Sequence, residues 1–129
     1  MSKTLRGRTV VEGHAEGTAL VSDQPIGFLG GVDPDTGIVI ERGHPLEGAS
    51  VVDRVLVFPC GKGSTVGSYT IYRMAQAGKG PVAIVNAASE PIVAVGALIA
   101  NIPMVDRVDI SQLETGMTVA VDGGEVRFE

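Results

Sequence analysis

The residues best equipped for chemistry stand close together, where the chain reads Phe58-Pro59-Cys60-Gly61-Lys62-Gly63-Ser64-Thr65-Val66-Gly67-Ser68-Tyr69. An apolar strand runs into a tight glycine loop, and the loop runs into the start of a helix. Backbone N–H groups at a helix N-terminus have no helical acceptor and point outward, so such a loop can hold a carboxylate or a phosphate. Two familiar versions do not fit. A P-loop needs Gly-x-x-x-x-Gly-Lys followed directly by Ser or Thr, but Gly63 follows Lys62 and Leu56 stands at the first glycine position. A dinucleotide fingerprint needs a third glycine where Val66 stands, and no acid closes the next strand at Val85-Asn86. What remains is a general anion loop. Within it Ser64 reads either as a reactive hydroxyl or as a helix N-cap worth about 1 kcal/mol. Lys62, Thr65 and Ser68 read equally as solvated or polar-face residues.

Other reactive side chains are scattered. His14 and His44 sit in glycine-rich turns, where hydrogen bonding within a loop is the commoner role of a histidine, although either could act as an acid or base. Asp33 and Asp35 flank Pro34 and read as turn caps. Cys60 is the only cysteine, so no internal disulfide can form and a reducing cytoplasm is expected. One thiol cannot hold zinc or an iron–sulfur cluster, so no metal is expected on this chain and any such group must come from another.

The elements that must position these residues follow from composition and punctuation. The 129 residues allow one domain with one core, and with aromatics at 4% that core must be aliphatic. Eighteen glycines, dispersed along the chain, imply many turns and close backbone approaches. The sequence predicts strands at Leu5–Val11, Thr18–Val21, Ile38–Ile40, Arg54–Pro59, Val82–Val85, Ile102–Val105, Met117–Val121 and Glu125–Phe128. A turn at Gly13–Gly17 predicts a hairpin of the first two, and Asp122-Gly123-Gly124 signals another at the end. Gln24 to Gly37 reads as an extended loop anchored by Phe28-Leu29. Helices are predicted over Ser64–Ala77 and Pro91–Ala100, the first stopped by Gly78 and Gly80, the second opened by proline in its first turn. This is a mixed α/β domain with one β-rich layer and one layer carrying helices.

The formal net charge of −5 leaves no basic surplus to displace counterions from a phosphate backbone, so nucleic acid is not an expected partner. The segment Met1-Ser2-Lys3-Thr4-Leu5-Arg6 lacks the apolar centre of a signal peptide, and no apolar run approaches the roughly 18 residues of a membrane helix.

Several separated stretches make a pattern. Gly13 to Leu20, Gly30-Gly31-Val32-Asp33-Pro34-Asp35-Thr36-Gly37, His44-Pro45-Leu46, Gly61 to Tyr69, Ala83-Ile84-Val85-Asn86 and Ile102-Pro103 occur in that order, and over nearly its whole length the chain resembles the small subunit of the aconitase X family. The resemblance implies a single swivelling β/β/α domain of the aconitase-like type over 1–129. It implies a hydro-lyase, active only as a heterodimer with a large subunit that supplies three cysteines and an iron–sulfur cluster of the 4Fe-4S type. For archaeal members it implies removal of water from (R)-5-phosphomevalonate to give trans-anhydromevalonate 5-phosphate, a step of isoprenoid synthesis. Ser64 would match the proton acceptor, with Lys62, Gly63 and Thr65 against the phosphorylated hydroxy-acid substrate. Aconitase-type loops carry an arginine two residues after that serine; Val66 stands there, which leaves the anion to Lys62 or to backbone N–H groups and the partner.

Three alternatives remain open on sequence. Bacterial relatives of the family dehydrate hydroxyprolines. Swivelling domains also carry phosphohistidine in phosphotransfer enzymes, a role that needs a histidine at a helix start. A binding module could use the loop only to dock an anion.

The chemistry sets its own requirement. Dehydrating a β-hydroxy acid takes a base for the proton beside the carboxylate and assistance for the leaving hydroxide, which an open cluster iron can give. Serine is a base only as its alkoxide. A helix N-terminus stabilises an anion by roughly 0.3–1 kcal/mol, up to about 2 when partly buried, and about 1.4 kcal/mol moves a pKa by one unit. Loop N–H groups, Lys62 and a closed, dry interface must therefore add to the helix.

Overall fold

The computed structural model describes residues 2–129; Met1, where the reading of the N-terminal segment begins, lies outside them. Two short runs form the centre. β4 (Arg54–Phe58) and β5 (Ala83–Asn86) pair in parallel, and from Val55 to Phe58 and from Ala83 to Asn86 every residue is buried. Their side chains alternate between two cores. Leu56, Phe58 and Ile84 pack with Ile71, Met74, Val93 and Ala97 of the helices, whereas Val55, Val57, Ala83 and Val85 pack with Val119, Val121, Val126 and Phe128. A strand covered on both faces has no polar side to show, which is why these runs are apolar throughout.

The described strands join one eight-stranded sheet in the order β1 (Lys3–Arg6), β8 (Glu125–Phe128), β7 (Thr118–Asp122), β3 (His14–Val21), β4, β5, β6 (Met104–Asp106), β2 (Arg8–Val11). β3, β4, β5 and β6 are parallel neighbours. α2 (Gly67–Gln76) links β4 to β5, and α3 (Pro91–Ala100) links β5 to β6. β7 and β8 form the expected hairpin around Gly123-Gly124, and β7 adds to β3 antiparallel. β1 pairs with β8, and β2 pairs with β6. β1 and β2 thus sit at opposite ends of the strand order although only Gly7 separates them in sequence. The sheet must curl until its two ends meet, and the second core fills the inside. The result is two β layers and one helical layer, the β/β/α arrangement expected.

Local expectations yield where pairing partners are distant. Leu5–Val11 is not one strand but breaks at Gly7, where a Cβ would overlap the Asp106 carbonyl oxygen; the Gly7 N–H donates to the Gly124 carbonyl at 2.8 Å. His14 to Gly17 is strand rather than turn, because β7 pairs with it in the register His14↔Asp122 to Gly17↔Val119. The hairpin of Leu5–Val11 with Thr18–Val21 does not form, since β3 takes β7 and β4 as neighbours. Ile38–Ile40 makes only isolated bridges, Val32↔Val39 and Ile38↔Ser50. Within the expected loop, Phe28–Gly31 makes one irregular helical turn, α1. Phe28 anchors it, its ring edge-on to Phe58 with centroids 5.9 Å apart, but Leu29 is 51% exposed and anchors nothing.

The β2–β6 edge is locked by a buried carboxylate. Asp106 is 1% exposed and accepts from Arg8 Nε at 3.0 Å, Arg8 Nη2 at 2.6 Å and Ser89 Oγ at 2.6 Å. Burial alone would push its pKa up; the hydrogen bonds and charge of Arg8, with Ser89, outweigh that and hold the carboxyl below the ordinary aspartate value.

Candidate functional site

β4 delivers Pro59 to the carboxyl end of the parallel strands, where the glycine loop begins. Asn86, fully buried at the end of β5, donates from Nδ2 to the Phe58 carbonyl at 3.0 Å, and the Ala87 and Ala88 amides both donate to the Pro59 carbonyl at 3.1 Å. The loop then crosses between two supports. On one side Ile26 N donates to the Cys60 carbonyl at 3.2 Å and Lys62 N to the Ile26 carbonyl at 3.1 Å. On the other lies Glu90, whose carboxylate caps α3 by accepting from the Ile92 and Val93 amides at 2.8 Å each. A Cβ on Gly61 would overlap Glu90 Oε1 and Val93 Cγ2, so any larger residue there must push these side chains or the loop aside. Gly63, at φ +88°, turns the chain in the left-handed region and faces open space.

Ser64 follows, exposed. Its Oγ accepts from the Val66 amide at 3.2 Å, and its carbonyl accepts from Gly67 N at 2.9 Å. The helix proper begins at Gly67 with Val66 in the capping position and no side-chain cap. Ser64 is not the cap of Gly67–Gln76 itself; its hydroxyl accepts the Val66 amide inside the i to i+3 turn of Ser64 to Gly67 that precedes the helix, so the capping reading is met in that turn. Among the described residues the Ser64 oxygen accepts one N–H and its hydroxyl finds no acceptor. Among the described residues the amides of Gly63, Ser64 and Thr65 have no intrachain acceptor.

Lys62, Gly63, Ser64 and Thr65 are thus consecutive and exposed, but they do not face one another as a set. Lys62 Nζ pairs with Glu41 Oε2 at 3.0 Å. Thr65 lines a cleft of about 410 Å³ between the starts of α2 and α3, whose walls include Val66, Tyr69, Ile92, Val95 and Ile99. Val66 and Tyr69 also wall a second groove of about 280 Å³ that reaches Leu29 and Arg73. The α2–α3 layer consequently shows an apolar outer face: Tyr69 is 69% and Leu98 63% exposed, with Val66 and Val95 close to half. α3, nearly all apolar in sequence, buries only Val93, Gly96 and Ala97.

The other reactive residues lie elsewhere. His14 is exposed at the start of β3, Nδ1 4.0 Å from Asp122 Oδ1, and His44 is buried in a loop, so neither precedes a helix. Asp33 caps its turn through the Asp35 amide at 2.9 Å, while Asp35 pairs with Arg73. Cys60 is half-buried. Among the described residues no three His, Cys, Asp or Glu side chains gather where they could hold a metal ion. No described helix is long and apolar enough to cross a membrane. Sequence reading missed Glu41, Ile26, Asn86 and Glu90. Of these only Glu90 carried a local signal, an acidic residue directly before the Pro91 that opens a helix.

A curled two-layer sheet with helices on one face, presenting a serine on a glycine loop at a helix start, defines a swivel domain of the aconitase type. The chain belongs to the aconitase X swivel domain family, whose pattern matches residues 4–129. It is 55% identical over 126 residues to the phosphomevalonate dehydratase small subunit of Thermococcus kodakarensis, covering 96% of this chain and 95% of that one. It is 56% identical over 122 residues to the protein of the same name from Methanocella arvoryzae, covering 92% of each. The fold matches a chain in the crystal structure of the holo-form of Thermococcus kodakaraensis aconitase X, with a TM-score of 0.97, 53% identity and 98% of each chain covered. A second relative, solved by NMR in solution, gives a TM-score of 0.89 at 45% identity, covering 98% of this chain and 99% of that one.

Proposed function

We propose that this chain is the small subunit of a dehydratase that converts (R)-5-phosphomevalonate to trans-anhydromevalonate 5-phosphate, and that it supplies the base. The names of relatives that match it almost end to end support the substrate and the need for a larger partner. The observation that carries the base is Ser64: an exposed hydroxyl whose oxygen already accepts the Val66 amide at 3.2 Å, on a loop seated rigidly at the end of β4.

The substrate is a β-hydroxy acid. Dehydration takes a proton from C2 and hydroxide from C3, leaving a double bond conjugated with the carboxylate. Ser64 as alkoxide takes the C2 proton. The Val66 N–H donates to the oxygen that carries the charge, the free amides of Gly63, Ser64 and Thr65 add positive potential, and the first turn of α2 adds its dipole. Lys62, loosely held by Glu41 at the surface, turns to an anionic group of the substrate; an exposed ion pair of this kind contributes little and is readily exchanged. Thr65, at the mouth of the apolar cleft, lies beside the bound substrate. These groups gain strength only where water is excluded. The large subunit does that by covering the loop and the apolar α2–α3 face that adjoins it. The iron–sulfur cluster that the resemblance implies belongs to that subunit in this reading, since a single cysteine supplies too few thiolates for one. Residues 1–129 act as one swivelling domain, in the cytoplasm, with neither nucleic acid nor membrane as a partner.

The test is turnover by this chain mixed with its large subunit, offered (R)-5-phosphomevalonate and a hydroxyproline separately. Phosphomevalonate turnover by the mixture, and none by either chain alone, is expected. Turnover of the hydroxyproline but not of phosphomevalonate would change the substrate, and activity of this chain alone would remove the partner from the account.

A further inference from the structure

His44 is 7% exposed and uses both ring nitrogens. The Leu46 amide lies 3.0 Å from Nδ1. An amide can only donate, so Nδ1 is the unprotonated acceptor and the proton resides on Nε2. Nε2 then donates to the Pro25 carbonyl, 3.0 Å away. The ring is a neutral bridge between its own loop and the segment at Pro25.

That segment is one support of the glycine loop. Pro25 is followed by Ile26, whose N–H and carbonyl bond Cys60 and Lys62 on either side of Gly61. A continuous set of bonds therefore runs from Leu46 through the imidazole to Pro25, Ile26 and Lys62, ending two residues before Ser64.

We infer that His44 is a positioning residue for Ser64: its Nε2–H holds Pro25 so that the Ile26 bridge fixes the serine loop. It touches neither substrate nor reacting atoms. The inference rests on the proposed role of Ser64, but the bracing can be read without activity.

Two substitutions separate the two ring bonds. In His44→Asn the amide oxygen replaces Nδ1 and keeps the local turn with Leu46, while nothing reaches Pro25. In His44→Gln the longer amide places an N–H near the position of Nε2 and keeps the reach to Pro25. In the full-length chain, amide hydrogen exchange at Lys62 is expected to speed up at least tenfold in His44→Asn and to stay within threefold of wild type in His44→Gln. In the complex with the large subunit, kcat is expected to fall at least tenfold for Asn with KM within threefold, and to be restored by Gln. Unchanged exchange and kcat in His44→Asn, or a His44→Gln variant as impaired as the Asn variant, would overturn the inference, because the ring would then only shape its own turn. Should both variants unfold, the ring nitrogen resonances of the wild-type chain decide: a proton on Nε2 supports the bridge, and a proton on Nδ1 overturns it. Altered exchange with unaltered kcat refutes the catalytic link alone, and absence of turnover in wild type refutes the proposed reaction instead.

Discussion

Oε1 of Glu90, while accepting the Val93 amide at 2.8 Å, fills the space that a Cβ on Gly61 would need. The cap of α3 and the path of the serine loop are therefore one packing problem. Gly61→Ala must displace the carboxylate and the Val93 Cγ2 methyl, disturbing the start of α3, or else the loop, moving Ser64. Overpacking of this kind costs about 1–3 kcal/mol, and a shift of the order of 1 Å in a reacting group can cost about a hundredfold in rate. The expected outcome is a destabilised chain in thermal melting and a complex with kcat lowered by more than tenfold. Gly63→Ala meets no atom but must hold φ +88°, a strain of about 1–2 kcal/mol for a side-chain-bearing residue. The two variants should thus differ in cause: removal of the carboxylate, Glu90→Ala, should relieve Gly61→Ala in part, the Val93 Cγ2 methyl still overlapping the added Cβ, and leave Gly63→Ala unimproved.

The Asp106 carboxylate predicts an acid sensitivity. Its pKa is held below the ordinary aspartate value in the fold, so the folded state binds a proton there less readily than the unfolded state. The stabilisation is present at neutral pH and is lost as pH falls from about 4, the unperturbed aspartate value, through the lower folded value. Asp106→Asn removes the titration. It should cost about 1.5–3 kcal/mol at pH 7, the range for hydrogen bonds to charged groups. The melting-temperature gap between the wild type and this variant should narrow as pH drops below about 4. A gap independent of pH would contradict this reading.

The apolar outer face of α2 and α3 predicts a separation of stability from assembly. Leu98 is 63% and Tyr69 69% exposed, so Leu98→Glu and Tyr69→Ala remove little that the folded chain buries. Stability of the chain alone should stay within about 0.5 kcal/mol of wild type, as surface substitutions usually do. Affinity for the large subunit should fall at least tenfold for Leu98→Glu, measured by titration calorimetry, because a charge would then sit in a desolvated contact. Unchanged affinity would place the partner elsewhere.

What was legible in the sequence was what is local. Arg54–Phe58 and Ala83–Asn86 announce themselves because a strand covered on both faces must be apolar at each step. Pro91 and the Gly123-Gly124 turn mark their elements by backbone chemistry. What misled was equally specific. His14 to Gly17 carries turn residues yet forms strand, because β7, about a hundred residues later, supplies the hydrogen bonds and Gly17 leaves room for the Asp53 carbonyl. Gly7 looks like any strand glycine, although it is where the chain passes from one end of the sheet to the other. The loop Gly61–Thr65 was identifiable as an anion site, but its two supports, Ile26 and Glu90, come from segments whose proximity only the folded topology creates.

The most direct measurement is kcat of the assembled complex carrying Ser64→Ala. The hydroxyl is exposed and its single accepted bond is a turn contact, so the variant should fold, associate with the large subunit as wild type does, and keep KM within a few-fold. Removing a general base should lower kcat by about 10²–10⁴-fold, and substrate C2–H exchange with deuterated water should fall with it. A Ser64→Ala complex that turns over within a factor of about three of wild type would contradict the account, leaving the glycine loop as a binding element and the base on the other subunit.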